Sequence, residues 1–287
     1  MTILVLLPGL DGTGELFAPF VDALKRIDTR VVAYPPDRAM TYAQHEAFVR
    51  DKLPRGEDYV ILAESFSGPV GIAIAASAPP NLKGLILCCS FAANPLPLFG
   101  PLARIFGRLP ALRVAPALAA PWLYARRGTP GLRRAHGQAM SRVAPIALRA
   151  RVAAVLAVDY RPLLLRIEVP TLYLRAKADR LIPRAAGRAI TERRPDVELV
   201  EIDGPHFLLQ TEPIACAQAV ERFMEHDVTP DPPLDVEQSL RVSKLTQDDL
   251  LEMDRVLVAQ ASTGWRKVAR IVAGAIDALS ARLPDVP

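Results

Sequence analysis

Six short apolar runs, at residues 3–7, 30–34, 59–63, 84–89, 169–174 and 197–202, recur along this chain, with amphipathic stretches at 15–26, 41–53, 68–78, 184–194 and 212–225 between them. Runs this continuous suit strands covered on both faces, because a half-exposed strand would alternate polar and apolar side chains. Strands separated by helices cannot pair as tight hairpins. The alternation therefore predicts an α/β fold, a doubly wound and mostly parallel sheet of about six strands joined by right-handed crossovers. In such a sheet chemistry gathers at the carboxyl ends of the strands.

With 287 residues, 51% of them apolar, the chain can bury a large core, and its length predicts one domain plus an appendage. One strand-to-strand interval breaks the rhythm: about 80 residues separate the run at 84–89 from that at 169–174. Pro95, Pro97, Pro101, Pro110, Pro116, Pro121, Pro130 and Pro145 cut this interval into short pieces, so we expect an inserted helical cap over about 91–165 within a domain spanning 1–226. After Glu225 the stretch Asp-Val-Thr-Pro-Asp-Pro-Pro-Leu-Asp reads as a stiff polar linker, over 227–245. Thr246 and Asp249 then form a capping pattern ahead of Leu250 and Leu251, and Gly264 precedes the helically spaced Trp265, Val268, Val272, Ile276 and Leu279. A carboxyl-terminal helical hairpin over 246–287 is expected.

The opening Met-Thr-Ile-Leu-Val-Leu-Leu-Pro-Gly has no basic segment, and its apolar run is too short for a signal peptide or a membrane span. A cytoplasmic protein is expected, with peripheral membrane contact as the one membrane association left open. Cys88, Cys89 and Cys216 lack metal-ligand spacing and read as core residues, so no metal is expected. A net charge of +4 is too mild to point to nucleic acid. Its distribution is less even: no Asp or Glu occurs between Glu64 and Asp159, where even placement of the 31 acids would put about ten. Arg104, Arg108, Arg113, Arg126, Arg127, Arg133, Arg134, Arg142, Arg149 and Arg151 all fall in that interval.

The third run ends in Ala-Glu-Ser-Phe-Ser-Gly and leads into the helical Pro-Val-Gly-Ile-Ala-Ile-Ala-Ala. This is the strand, sharp turn and helix that lift a serine hydroxyl clear of the backbone. Ser65 suits the turn, since Ala63 and Ser67 flanking it at two positions are small; choosing Ser67 would put Pro69 in the tight position. A nucleophilic serine needs a base, a carboxylate to orient that base and donors for an oxyanion. Of four histidines, His45 lies in a predicted helix, His136 in the cap and His226 at the linker, whereas His206 follows the last apolar run and would reach the strand ends. Asp179, a short loop after the run at 169–174, is the carboxylate expected to orient it. Asp159 is a rival at the edge of the cap, Asp203 reads as a turn residue, and a plainer role for Asp179 is to cap the segment at Pro183.

For the oxyanion, the Phe66 amide begins the helix after the serine, and a second donor should come from the loop after the first strand. That loop, Leu7-Pro8-Gly9-Leu10-Asp11-Gly12-Thr13-Gly14, offers the amide of Leu10. Its glycine spacing fits neither a dinucleotide fingerprint nor a phosphate-binding P-loop, and no cofactor is expected.

On the order Ser65, Asp179, His206 and the glycine-rich loop, residues 2 to 226 resemble an α/β-hydrolase fold protein with a minimal six-stranded sheet. The elbow departs from Gly-x-Ser-x-Gly by Ala63 and Ser67, and Pro8 stands where many members carry histidine. The resemblance implies a serine hydrolase of the carboxylesterase or thioesterase kind, with an acyl-enzyme formed on Ser65. A serine at the elbow argues against haloalkane dehalogenase and epoxide hydrolase activities, whose members use aspartate there. Acyltransferase or lysophospholipase-like activity, and a non-catalytic receptor or interaction role, are the alternatives. In the cap, Phe99, Phe106 and Trp122 are expected to line an acyl pocket, and Arg126 and Arg127 to face an anionic substrate or an acidic carrier protein. Capped carboxylesterases resembling the pimeloyl-carrier methyl ester esterase are a precedent.

Overall fold

The computed structural model describes residues 2–95 and 122–225, together with 251, 255 and 256. Its first strand, β1 (Ile3–Leu7), is buried at every position. A 3₁₀ turn at Glu15–Phe17 runs into α1 (Ala18–Ala23), then come β2 (Thr29–Val31), α2 (Tyr42–Arg50), β3 (Tyr59–Glu64), α3 (Gly68–Ala75) and β4 (Leu82–Cys88). The long interval follows, with α4 (Pro130–Ser141), α5 (Pro145–Ala157) and a 3₁₀ segment at Arg161–Arg166. The chain then returns to the sheet through β5 (Thr171–Ala176), α6 (Arg184–Thr191), β6 (Glu198–Ile202), the short α7 (Leu208–Thr211) and α8 (Pro213–Phe223). All six strands are parallel, in the order β2-β1-β3-β4-β5-β6. This is the doubly wound sheet expected from the sequence.

Alternate residues of each central strand enter two separate cores, as a period of two requires. Val5, Leu7, Ile61, Ala63, Leu85 and Leu87 pack with Val70, Ile74 and Val49 of α3 and α2. Leu4, Leu6, Val60, Leu62, Ile86 and Leu174 pack with Phe20 of α1 and Val220 and Phe223 of α8 on the opposite face. Helix α3 is buried at all eight positions. It lies close to the sheet because Gly71 has no Cβ: one there would come within 2.9 Å of Ala63 Cβ. The expectation of strands covered on both faces fails at the two edges. Val31 of β2 is 42% exposed, and β6 alternates partly buried and exposed residues, because an edge strand has a helix layer on only part of its surface.

Helix starts follow local chemistry. Thr41 and Gln44 form a reciprocal capping box at α2, and Thr129 accepts from the Leu132 amide at α4. The insertion between β4 and β5 closes at its base: the Tyr160 amide donates to Ala92 O at 2.7 Å and the Asn94 amide to Val158 O at 2.9 Å. The chain divides into two units, residues 1–229 and 230–287. The expected linker, the expected helical hairpin apart from residues 251, 255 and 256, and cap residues Phe99, Phe106, Arg104, Arg108 and Arg113 lie outside the described residues. No helix among the described residues is long and apolar enough to cross a membrane.

Candidate active site

Strand β3 stops at Glu64, and Ser65 takes the left-handed conformation with φ +47°. A side-chain-bearing residue there costs about 1–2 kcal/mol, so neighbouring bonds must hold the turn. Three do. Ser90 Oγ donates to Ser65 O at 2.6 Å, Tyr42 Oη donates to Phe66 O at 3.0 Å, and Ser67 Oγ donates to Pro8 O at 2.5 Å. Because the Ser67 proton goes to Pro8, Tyr34 Oη, 2.5 Å from Ser67 Oγ, is the donor of that pair. Burial pushes the Tyr34 phenol far above its ordinary range, which keeps that proton in place. Ser67 is fully buried and its hydroxyl is engaged, so the turn presents Ser65.

Gly68 explains why the elbow tolerates Ala63 and Ser67 but ends in glycine. A Cβ at Gly68 would overlap Ser90 Oγ and approach Ser90 Cβ to 2.8 Å. Gly68→Ala is therefore expected to push Ser90 off the Ser65 carbonyl and to destabilise the fold by about 1–3 kcal/mol. Urea unfolding would measure this; a variant as stable as wild type would show that the Ser90 contact is dispensable.

His206 reaches the same place from the loop after β6, at the carboxyl end of the parallel strands. After β6 the chain turns through Asp203, Gly204 and Pro205, with the Ala178 amide donating to Gly204 O at 3.0 Å. His206 Nε2 lies 3.0 Å from Ser65 Oγ, and His206 Nδ1 lies 2.8 Å from Asp179 Oδ2. An ionised carboxylate can only accept, so Nδ1 carries the proton and Nε2 is left to accept from Ser65. The imidazole is 3% and the carboxylate 5% exposed, so both work out of bulk water. Asp179 Oδ1 accepts from the amides of Leu181 at 2.8 Å and Ile182 at 2.9 Å, which fixes the carboxylate. These bonds close a turn inside the loop; the helix α6 that follows has Pro183 at its N-cap and no side-chain cap, so Asp179 does not cap it.

The loop after β1 bends where its glycines allow. Gly12 and Gly14 have φ of +70° and +74°, and the Gly12 amide donates to Gly9 O at 3.0 Å. Asp11 accepts from the Thr13 amide at 2.8 Å and the Thr13 hydroxyl at 2.6 Å. The decisive partner comes from the insertion. Arg151 on α5 is 1% exposed and donates to Leu10 O at 3.0 Å, Asp11 O at 2.7 Å and Pro35 O at 3.0 Å. Its guanidinium also covers Gly12, where a Cβ would sit 2.7 Å from Arg151 Cζ. Phe66, the other expected donor, begins the turn into α3 with its ring stacked on Tyr42 at 5.0 Å. It lies in the first turn, where backbone amides have no intrahelical acceptor.

The remaining candidates go elsewhere. Asp159 binds Arg161 through both oxygens, at 2.7 and 2.6 Å, and Asp203 pairs with Arg127 at 2.7 Å. His45 is buried edge-on to Tyr34 and Phe66, and His136 packs on Tyr124 and Phe207. Trp122 is 51% exposed. Arg127, expected to face an anion, instead joins the insertion to the core through Asp203 and, at 2.5 Å, Glu212. Arg142 pairs with Glu15 in the same way, and the Phe207 amide donates to Leu123 O at 2.8 Å. The acid-free interval is thus partly accounted for: several of its arginines take carboxylates and carbonyls of the sheet domain. Arg126, Arg134 and Arg149 are exposed.

Sequence reasoning missed Glu64, Gln210, Ser90, Tyr34 and the buried Arg151. Glu64 left a visible signal, an acid closing an otherwise apolar run. Cys89, also left-handed at φ +46°, places its Sγ within 4.8 Å of ligand-capable atoms of Asp179 and His206. Two of those three groups are already joined to each other.

A family model described as the alpha/beta hydrolase family matches residues 4–219. The chain belongs to the alpha/beta hydrolase family. Solved structures of similar fold include a hydrolase from Pseudomonas aeruginosa PA01 (TM-score 0.66, 23% identity, covering 78% of this chain and 89% of that one). An enol-lactonase from Burkholderia xenovorans LB400 aligns with TM-score 0.65 at 19% identity over 78% of this chain and 91% of its own. A bromoperoxidase from Bacillus anthracis aligns with TM-score 0.67 at 15% identity, covering 78% and 92%. No curated protein matches the sequence. Identities this low carry the fold of this alpha/beta hydrolase and leave its substrate to the site.

Proposed function

We propose that this alpha/beta hydrolase cleaves a carboxylic ester or thioester through an acyl-enzyme on Ser65. The observation that carries the proposal is the continuous relay from Ser65 Oγ to His206 Nε2 at 3.0 Å and from His206 Nδ1 to Asp179 Oδ2 at 2.8 Å. In this reaction His206 Nε2 takes the Ser65 proton as Oγ attacks the acyl carbon, and the imidazolium that forms is stabilised by Asp179. The carbonyl oxygen gains charge, and the amides of Leu10 and Phe66 are its proposed donors, each worth about 3 kcal/mol of barrier. His206 returns the proton to the departing alcohol or thiol. A water deprotonated by the same nitrogen then attacks the acyl-enzyme, and Ser65 recovers its proton.

The enol-lactonase of similar fold acts, by its name, on an internal ester, which accords with ester chemistry on this scaffold. Exposed Arg126, Arg134 and Arg149 favour, within this reading, an acyl substrate carried on an anionic group. The test is a panel of p-nitrophenyl esters of increasing acyl length beside acyl-thioesters of coenzyme A. Turnover of at least one class, with a burst of product equal to the enzyme concentration, is expected. Absence of turnover across both classes would overturn the proposal.

A further inference from the structure

Five of the six residues of β3 are apolar or aromatic, and the sixth is Glu64, 6% exposed and adjacent to Ser65. A carboxyl group buried there costs several kcal/mol unless its oxygens are satisfied, so its partners are informative. Gln210 Nε2 donates to Glu64 Oε1 at 2.9 Å. Glu64 Oε2 faces the Gly9 backbone, 3.6 Å from where a Cβ would stand. Gly9 immediately precedes Leu10, the expected oxyanion donor. Gln210 sits on α7, four residues after His206, and its Oε1 is buried with no hydrogen-bond partner among the described residues. One carboxylate thus touches the segments on both sides of the serine turn.

We propose that Glu64 is a positioning residue of the catalytic centre, whose carboxylate ties the loop carrying Leu10 to the segment carrying His206 and holds both against the Ser65 turn. The proposal rests on the reading of Ser65 as nucleophile. An ionised carboxylate can only accept, as it does from Gln210 Nε2, whereas a protonated one gives up part of that capacity and must donate. The vacant acceptor within its reach is Gln210 Oε1, which it meets once the amide rotates. Burial is the main reason the Glu64 carboxyl is pushed up to about 7, with Asp11 adding to the shift and Gln210, His206 and the Gly9 amide opposing it. The other titratable groups facing it are the thiols of Cys88 and Cys89 at the end of β4 and of Cys216 on α8. The tie is therefore complete above neutral pH and loosened below it.

The experiment compares wild type with Glu64→Gln, which keeps the shape and removes the titration, using two readouts. The first is the rate constant for labelling Ser65 with a fluorophosphonate across pH 5 to 9. The wild-type rate is expected to exceed that of Glu64→Gln about 10- to 100-fold at pH 8, and this ratio, in which any effect of His206 protonation cancels, to shrink as pH falls through about 7. The second is thermal stability. A carboxyl raised in the folded state stabilises most below its unfolded value and loses that contribution as pH rises through the folded one. The Tm of wild type relative to Glu64→Gln should accordingly fall between pH 4.5 and about 7 and then level off. If Glu64→Gln does not fold, Gln210→Leu carries the labelling test, with the same direction expected. Equal labelling rates at every pH would overturn the proposal while leaving the nucleophile intact. Failure of wild type to label at all would overturn the nucleophile reading, and the proposal with it.

Discussion

Ser65→Ala is expected to lower kcat for any ester this protein turns over by about 10⁵-fold or more, with KM little changed and stability within about 1 kcal/mol of wild type. In the proposed reaction the hydroxyl supplies the bond-forming atom, and its hydrogen-bond partner in the fold is His206 Nε2 at 3.0 Å. Backbone partners of the turn, the Ser65 and Phe66 carbonyls, do not depend on the Ser65 side chain. Groups that act as a unit lose most of their effect with the first member removed. Adding His206→Ala to Ser65→Ala should thus lower the rate by less than about threefold. Steady-state kinetics and thermal melts of the two variants check both points. A double variant slower than Ser65→Ala by orders of magnitude would mean that His206 acts on something other than Ser65.

The second large effect belongs to Arg151. Arg151→Met removes three donors from buried carbonyls and is expected to cost about 3–5 kcal/mol of stability. It should also lower kcat by about 10²-fold, because the carbonyls released are those of Leu10 and Asp11, in the loop that carries a proposed oxyanion donor. Arg151→Lys retains a charge but not the fork that spans Leu10, Asp11 and Pro35, and should recover only part of either loss. Chemical denaturation and kcat measured on the same preparations would show the two effects together. A stable Arg151→Met enzyme with unchanged kcat would mean that the loop holds its shape without the insertion.

The parallel sheet was legible because its central strands are buried on both faces and so contain no polar interruption long enough to hide them. Edge strands were read as too buried, since the sequence does not say which strand ends the sheet. That Ser65, Asp179 and His206 come together was legible through chain order and position after strands, signals that survive without knowing any distance. Arg151 shows what was not legible. In sequence it is one of ten arginines in an acid-free interval, and only the fold brings it against carbonyls of a loop some 140 positions away. Arg127 and Arg142 have the same history, with carboxylates at Asp203, Glu212 and Glu15. Charge patterning along a chain counts residues and cannot see partners brought in from elsewhere. Glu64 was visible as an acid in an apolar run, but its meaning lay in Gly9 and Gln210, which only folding brings to it.

The central claim, that Ser65 is an activated nucleophile, is tested most directly by intact-mass and peptide mapping after reaction with a fluorophosphonate. One adduct per chain, located on Ser65 and absent from Ser65→Ala, is predicted. An unmodified protein, or an adduct mapped to another residue and retained in Ser65→Ala, would contradict it.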